Sequence, residues 1–258
     1  MTDRGLQEAI RAAGGVTELA RRIGISQPSV SNWSRVPAER VLTVEAITGV
    51  ARAILRPDLY GDSDRTTGID EVDLARAQEY ALLAALLTRA PDAAFLQRLA
   101  MLRGDPTPLG VAHIGLADAA AGADADKVER EFFNLFIGIG RGELMPYGSY
   151  YIAGFLHERP LARLREDLAR LGIERVAEQY ESEDHAAILC EIMSGIAGGQ
   201  FAVPADADRQ LFEKHLSPWL GRFFADLERA DAAHFYRRVG ALGRVFIEIE
   251  TEAFALAG

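Results

Sequence analysis

From residue 71 onward, apolar residues recur at helical spacing, and no segment alternates apolar with polar residues as a half-buried strand would. Residues 73–87, DLARAQEYALLAALL, are apolar almost all round, which predicts a helix at the centre of a bundle. Pro160 suits the first turn of a helix that carries leucines on one face and ends at Gly172. Asp231 is predicted to cap a last, long helix. The inward side chains of that helix are expected to be Phe235, Val239, Leu242, Phe246 and Ile249. This pattern predicts an all-α fold, in which helices pack on helices.

Near the N-terminus, residues 16–35, VTELARRIGISQPSVSNWSR, predict two short helices joined by a tight turn. Gly24 supplies the turn, Ser26 caps the second helix, and Pro28 lies early enough in that helix to be tolerated. This is the pattern of a helix-turn-helix. The alternative is a helical hairpin that binds no nucleic acid, but the short polar side chains of the second helix favour DNA binding.

The charge is divided unevenly along the chain. Residues 1–60 hold 8 arginines and 6 acidic residues, whereas the remainder holds 20 basic and 32 acidic residues. Between these parts, residues 61–70, GDSDRTTGID, lack a periodic apolar residue and predict a linker. We therefore expect two domains with different partners, a small helix-turn-helix domain at 1–60 and an all-helical bundle at 71–258.

A glycine-rich break interrupts the helical pattern within residues 131–151, EFFNLFIGIGRGELMPYGSYY. A helix with phenylalanine and leucine on one side is predicted to stop at the three glycines. The residues after them are predicted to form an irregular loop, because Pro146 fixes its own φ and biases the preceding residue toward extended conformations. Tyr147, Tyr150 and Tyr151 place three phenols on this loop. Such aromatics either line a site or close the core.

A polar segment, ESEDHAAIL, lies at residues 181–189. Its helix is predicted to start near Ser182, so that Asp184 lies in the first turn, where the helix dipole favours negative charge. His185 then heads an apolar stripe. This pattern alone favours a histidine at the edge of the core, tied to a neighbouring carboxylate.

Taken together, these segments resemble the TorD/DmsD family of molybdoenzyme chaperones. The motifs are a helix ending in LFIG, the run PYGSYY, the pair Asp184–His185, HLSPW at 215–219 and FYRRVG at 235–240. The resemblance covers about residues 70–256 and implies a helical bundle that binds the twin-arginine signal peptide of a molybdoenzyme precursor. Where the family commonly has proline, this chain has Ser182, which alters the entry to the helix.

The resemblance also implies site residues, because Asp184 and His185 match the pair that grips the signal peptide. Apolar residues of the glycine-rich segment would accept the apolar part of the peptide. The expected signal-peptide-binding residues are Phe132, Leu135, Phe136, Pro146, Tyr147, Ser149, Tyr151, Asp184 and His185. A guanine nucleotide or a molybdopterin cofactor is compatible with the resemblance, but no motif points to where it would bind.

The first domain resembles DNA-binding domains of the YdaS or Cro type. In that resemblance the second helix, Gln27–Trp33, enters the major groove. The expected DNA-contacting residues are Gln27, Ser29 and Asn32, which would read base edges, and Arg35 and Arg40, which would grip phosphate. Because the domain is only weakly basic, useful affinity would require a homodimer on two half-sites.

Other function classes find little support in the sequence. Cys190 is five positions from His185 and so lies on a different helix face, which removes the simplest pair of nucleophile and base. No HExxH or CxxC spacing indicates a metal site. The chain is therefore predicted not to be an enzyme, and to stay in the cytoplasm without membrane insertion, since it shows neither a signal peptide nor a long apolar run. The alternative to a chaperone is a transcription regulator whose helical domain senses a ligand or dimerises.

Overall fold

A computed structural model describes residues 3–37, 40–56, 70–174 and 181–256 of the chain. Within these ranges every regular element is helical, and the strand-like contacts amount to one antiparallel bridge, between Tyr147 and His185. The prediction of an all-α fold is confirmed. The chain separates into two compact units, residues 1–69 and 70–258. The predicted linker lies outside the described residues except for Asp70, which caps the first helix of the second unit.

The N-terminal unit consists of short helices around a small core. These are α1 (Arg4–Ala13), α2 (Val16–Ile23), α3 (Gln27–Ser31), α4 (Val41–Thr48) and α5 (Arg52–Leu55). Gly24 comes directly after α2 with a φ of 77°, and the side chain of Ser26 accepts the N–H of Ser29 at 3.4 Å. The predicted turn and cap of the helix-turn-helix are thus present, although α3 ends at Ser31 rather than at Trp33.

The second unit is a helical bundle. Its helices are α6 (Glu71–Thr88), α7 (Ala93–Leu99), α8 (Pro108–Ala121), α9 (Ala125–Phe132), α10 (Gly148–Ala153), α11 (Arg159–Arg170), α12 (Ala186–Ala197), α13 (Ala207–Leu211), α14 (Leu220–Arg229) and α15 (Tyr236–Leu256). Helices α9 and α13 continue into wider π-helical turns, at Phe133–Ile137 and Phe212–Leu216. Helix α6 packs closely on α12, and α15 packs on α14 and α8. As predicted, α6 is central, with Tyr80, Leu83 and Leu86 fully buried.

The start of α15 differs from its prediction. The helix begins at Tyr236, and the residue that caps it is Glu131 on α9 rather than Asp231. One oxygen of Glu131 accepts the N–H groups of His234 and Tyr236, each at 2.7 Å, and the other accepts that of Phe235 at 3.1 Å. A carboxylate suits this position, because the first N–H groups of a helix lack partners within the helix.

The inward face of α15 also differs at one position. Ile249 is 40% exposed, and Glu250, which is only 1% exposed, takes the inward place. The Glu250 carboxylate accepts two N–H groups of Arg76, at 2.8 and 2.9 Å, and the hydroxyl of Tyr80 at 2.9 Å. Arg76 also pairs with Asp208 at 3.1 Å. Burial alone would lower the pKa of Arg76, but these carboxylates raise it. One ionic network therefore joins α6, α13 and α15.

Candidate functional site

Two segments that are far apart in sequence lie side by side in the second unit. The N–H of Ala186 donates to the carbonyl of Pro146, and the N–H of Gly148 donates to the carbonyl of Asp184, both at 2.8 Å. These bonds flank the bridge between Tyr147 and His185. The structure thus brings the PYGSYY motif and the Asp184–His185 pair together, through backbone bonds that do not depend on side-chain identity.

Asp184 supports the first of these segments. It is 2% exposed, and its carboxylate accepts the N–H of Ser149 at 2.8 Å and the hydroxyl of Ser182 at 2.5 Å. The bond to Ser149 satisfies one of the first N–H groups of α10, which at 6 residues is too short to be stable alone. The prediction of an irregular loop after the three glycines is therefore wrong in part, since Gly148–Ala153 is a helix with a cap that comes from a distant part of the chain.

His185 is the N-cap of α12, which begins at Ala186 rather than near Ser182. Its Nδ1 accepts the N–H of Ala187 at 3.1 Å, so the neutral ring carries its proton on Nε2. Burial lowers the pKa of His185 despite the opposing charges of Glu181 and Asp184, and the ring is neutral at pH 7. The ring meets that of Tyr147 edge to face at 5.0 Å.

The HLSPW motif packs behind this junction. A Cβ on Gly148 would lie 3.0 Å from Nε1 of Trp219, so the close approach leaves little room for a side chain at this position. Trp219 is fully buried and donates its N–H to the carbonyl of His215 at 2.7 Å. Nε2 of His215 lies 2.8 Å from an oxygen of Asp167 on α11. The motif therefore ties α10 and α11 to the turn before α14.

An open cleft of about 520 Å³ runs beside the junction. Gly148, Ile152 and Asp184 line it together with His215 and Pro218. Its charged lining residues are Arg163, Arg170 and Lys214, and Glu166, Asp167 and Asp184. Because the two signs occur equally often, the cleft itself does not concentrate the negative charge of the unit.

The remaining apolar residues predicted for the site lie in a row of aromatic contacts. The rings of Phe132 and Phe136 meet edge to face at 5.0 Å, and Leu135 between them is fully buried. Phe223 connects Phe136, at 6.5 Å, to Tyr151, at 6.0 Å. The nine predicted residues thus form two groups, one at the junction and one within the core, which are linked through Tyr151 and Phe223.

Two phenols at the site are paired with carboxylates. The hydroxyl of Tyr147 donates to Glu181, and that of Tyr151 donates to Asp226 at 3.0 Å. Burial raises the pKa of both tyrosines, and the neighbouring carboxylates raise it further. Sequence reasoning missed both acidic residues, because they lie 34 and 75 positions from their tyrosines and no local spacing relates them.

The residues predicted to contact DNA lie on and after α3. Gln27, Ser29, Asn32 and Arg35 are exposed, and Arg40 is half-buried. The amide of Gln27 donates to Ser31 at 2.8 Å, and the hydroxyls of Ser26 and Ser29 are 2.7 Å apart. Val30 is the buried residue of this helix. The polar face of α3 is therefore open in the N-terminal unit.

The described ranges show neither a cluster of metal ligands nor an exposed thiol. No three His, Cys, Asp or Glu side chains there group closely enough to hold a metal ion. Cys190 is buried, which raises the pKa of its thiol to about 12. None of the described helices is both long and apolar enough to span a membrane.

Comparisons with known proteins match both units. Residues 103–225 match the family model of the nitrate reductase delta subunit, and residues 6–64 match that of the bacterial toxin YdaS. Chaperone protein TorD from two strains of Vibrio cholerae serotype O1 is 28% identical over 127 residues, which is 46% of this chain and 58% of the relative. The chain thus spans less than two thirds of these curated relatives.

A solved structure covers more of the chain. It is described as a redox enzyme maturation protein from Archaeoglobus fulgidus, and the match covers 67% of this chain and 93% of that one, with 19% identity and a TM-score of 0.49. The family match at 103–225 contains the PYGSYY, Asp184–His185 and HLSPW motifs that form the junction. The resemblance predicted from the sequence is thereby confirmed: the helical unit is similar to the TorD family, and the N-terminal unit to YdaS-type domains.

Proposed function

We propose that this protein is a cytoplasmic maturation chaperone, which binds the twin-arginine signal peptide of a molybdoenzyme precursor and delays export until the cofactor is inserted. The observation that carries the proposal is the junction of residues 146–149 with residues 184–186. Two motifs that resemble those of TorD meet there, beside an open cleft. The named relatives are chaperones, which agrees with a role in binding rather than in catalysis.

Exposed apolar side chains on α10 and just after it suit the apolar part of such a peptide. Ile152 lines the cleft and is 46% exposed, and Phe155, just after α10, is 71% exposed. Covering a large apolar side chain contributes about 1.5–3 kcal/mol. Because α10 presents Ile152 and is held by Asp184, affinity for the peptide should depend on this cap.

Asp184→Ala is expected to weaken binding of a synthetic peptide, in which two adjacent arginines precede an apolar run, by about 10- to 100-fold. The substitution leaves the N–H of Ser149 without its acceptor and loosens α10. Isothermal titration calorimetry measures the affinity, and a thermal melt shows whether the bundle remains folded. Asp184→Asn keeps an oxygen for Ser149 and should lose less.

Asp124→Ala is the matched control, because Asp124 caps α9 by accepting the N–H of Lys127 at 3.1 Å and does not line the cleft. Because Asp124 is exposed, Asp124→Ala should lose less stability than Asp184→Ala, and it should keep its affinity. Full affinity in Asp184→Ala, or an equal loss in Asp124→Ala, would contradict the proposed site.

A second function is favoured by the open polar face of α3. We propose that the N-terminal unit binds duplex DNA as a dimer and links expression to maturation, with Gln27, Ser29 and Asn32 at base edges and Arg35 and Arg40 at phosphates. The exposed amides support this assignment, since Gln and Asn can contact adenine through two hydrogen bonds. A regulator whose helical unit only dimerises or senses a ligand is the alternative, and it would bind DNA but not the peptide.

Replacing Gln27 and Asn32 together by alanine is expected to reduce preference for the selected DNA sequence by about 1–3 kcal/mol per lost base contact. Selection from random duplexes identifies the sequence, and titration against selected and scrambled duplexes measures the preference. Gln210→Ala, in the helical unit, removes a similar amide and should change nothing. If no duplex is enriched even at low salt, the unit does not bind DNA specifically.

A further inference from the structure

We propose that the pairs Tyr147–Glu181 and Tyr151–Asp226 are two subsites for guanidinium groups, which hold neighbouring arginine side chains of the bound peptide. The inference rests on the proposed chaperone function and specifies which groups recognise the basic part of the ligand. Neither acidic residue is among the site residues that the sequence predicts.

The two pairs are built alike. In each, a half-buried phenol donates its hydroxyl to an exposed carboxylate. Among the described residues, no cation pairs with Glu181 or Asp226. A phenol is a neutral donor, so each carboxylate keeps its negative charge and has lone pairs left to accept further hydrogen bonds. Both pairs can therefore accept a cation from a ligand.

A ring and a carboxylate side by side favour arginine over lysine. The guanidinium group is planar, so it can stack on an aromatic face while its N–H groups form a fork with a carboxylate. Lysine carries a compact charge and cannot do both in the same way. These pairs should therefore bind arginine more tightly than lysine, whereas the negative charge of the unit alone attracts both side chains.

The structure already places one guanidinium at such a ring. Arg222 lies over the ring of Tyr151, 5.9 Å from its centroid, and donates to the carbonyl of Tyr151 at 2.9 Å. Arg222 and Asp226 are four residues apart on α14, a spacing that permits an ion pair. The hydrogen bonds of Arg222 nevertheless go to the carbonyls of Tyr151 and Pro218. Trp219 packs against Tyr151 at 5.4 Å, so an arginine from the peptide would have to displace Arg222.

The spacing of the pairs fits residues that are close together in a peptide. The N–H of Tyr151 donates to the carbonyl of Tyr147 at 3.1 Å, so the two residues are four positions, about 6 Å, apart along the helix axis. Consecutive Cα atoms in an extended chain are about 3.8 Å apart, and alternate ones are roughly 7 Å apart. Two arginines that are adjacent or separated by one residue can therefore reach both pairs.

The test uses the full-length protein and two synthetic peptides, which differ only in having Arg-Arg or Lys-Lys before the same apolar run. Wild-type protein should bind the Arg-Arg peptide about tenfold more tightly. Glu181→Gln with Asp226→Asn should weaken binding of that peptide by about tenfold or more and abolish the discrimination. These amides still accept the tyrosine hydroxyls, so the fold should be retained. Glu129→Gln with Asp126→Asn, at two exposed positions on α9, is the charge-matched control and should behave as wild type.

Arg222→Gln provides an independent reading, because removal of the internal competitor should tighten binding of the Arg-Arg peptide by about threefold. If the wild-type protein binds the Arg-Arg and Lys-Lys peptides with equal affinity, and the double variant does the same, the arginine subsites are wrong while the chaperone function stands. The same conclusion follows if the double variant prefers the Arg-Arg peptide as strongly as wild type does. If wild type binds neither peptide, both proposals fail. Weaker binding by Arg222→Gln would contradict displacement and would make Arg222 part of the site.

Discussion

Replacing Glu250 by alanine is expected to lower the free energy of unfolding of the helical unit by about 3 kcal/mol or more. The substitution removes a carboxylate that is 1% exposed and leaves the hydroxyl of Tyr80 without its acceptor in the core. Arg76 retains Asp73 and Asp208 but loses its two bonds to Glu250, so two N–H groups of a largely buried guanidinium lose their acceptor. The loss of stability arises because buried groups of Tyr80 and Arg76 lose their acceptor, and it is larger than the net stabilisation that the intact ion pair provides.

Urea denaturation measures this change, followed by the fluorescence of Trp219 in a Trp33→Phe background so that only the helical unit is observed. Glu248→Ala is the matched control on the same helix, because Glu248 is exposed and its bond to Arg244 is at the surface. Its free energy of unfolding should change by no more than about 0.5 kcal/mol. A Glu250→Ala loss as small as that of the control would show that the network contributes little.

Glu131→Ala is expected to cost about 3 kcal/mol, because three backbone N–H groups at the start of α15 lose their acceptor at once. Phe235 and Tyr236 are buried, so water cannot readily replace the carboxylate. The same denaturation experiment measures the loss. Hydrogen exchange should also show faster exchange of the amides of residues 234–236.

Glu143→Ala is the appropriate comparison, since Glu143 accepts the N–H groups of Asp231 and Ala232 at 2.7 and 3.0 Å in an exposed position. Water can replace it there, and the expected loss is about 1 kcal/mol or less. Equal losses in the two variants would mean that burial does not determine the value of these bonds.

The sequence was informative wherever a structural cause acts over a few residues. Helical spacing predicted α6 as the central helix, and Ser26 was predicted as the cap of α3 because a cap and its N–H lie three positions apart. The caps of α10 and α15 come from Asp184 and Glu131, far along the chain, and no local pattern records such partners. The structure therefore departs from the prediction mainly at helix starts.

The choice between Ile249 and Glu250 illustrates the same limit inside the core. Either residue can face inward by helical spacing from Phe246, and hydrophobicity alone favours isoleucine. The outcome depends on Arg76, which meets Glu250 from another helix and offsets the cost of burying its charge. At the candidate site, likewise, a family resemblance suggested Asp184 and His185, whereas Glu181 and Asp226 became apparent only from contacts across the fold.

The π-helical turn at Phe133–Ile137 has a consequence for insertions and deletions during evolution. Such a turn holds one residue more than an α-helical turn. Deleting one residue there would restore an α-helical turn and leave the faces on its two sides nearly in register, because the π-helical turn accommodates its extra residue within a single turn. Deleting one residue from the α-helical part of α9 would instead rotate the residues on its two sides by about 100° relative to each other. That rotation would carry the Glu131 carboxylate away from the N–H groups of residues 234–236. Among related chains, a change in length by one residue should therefore occur at this turn rather than within α9.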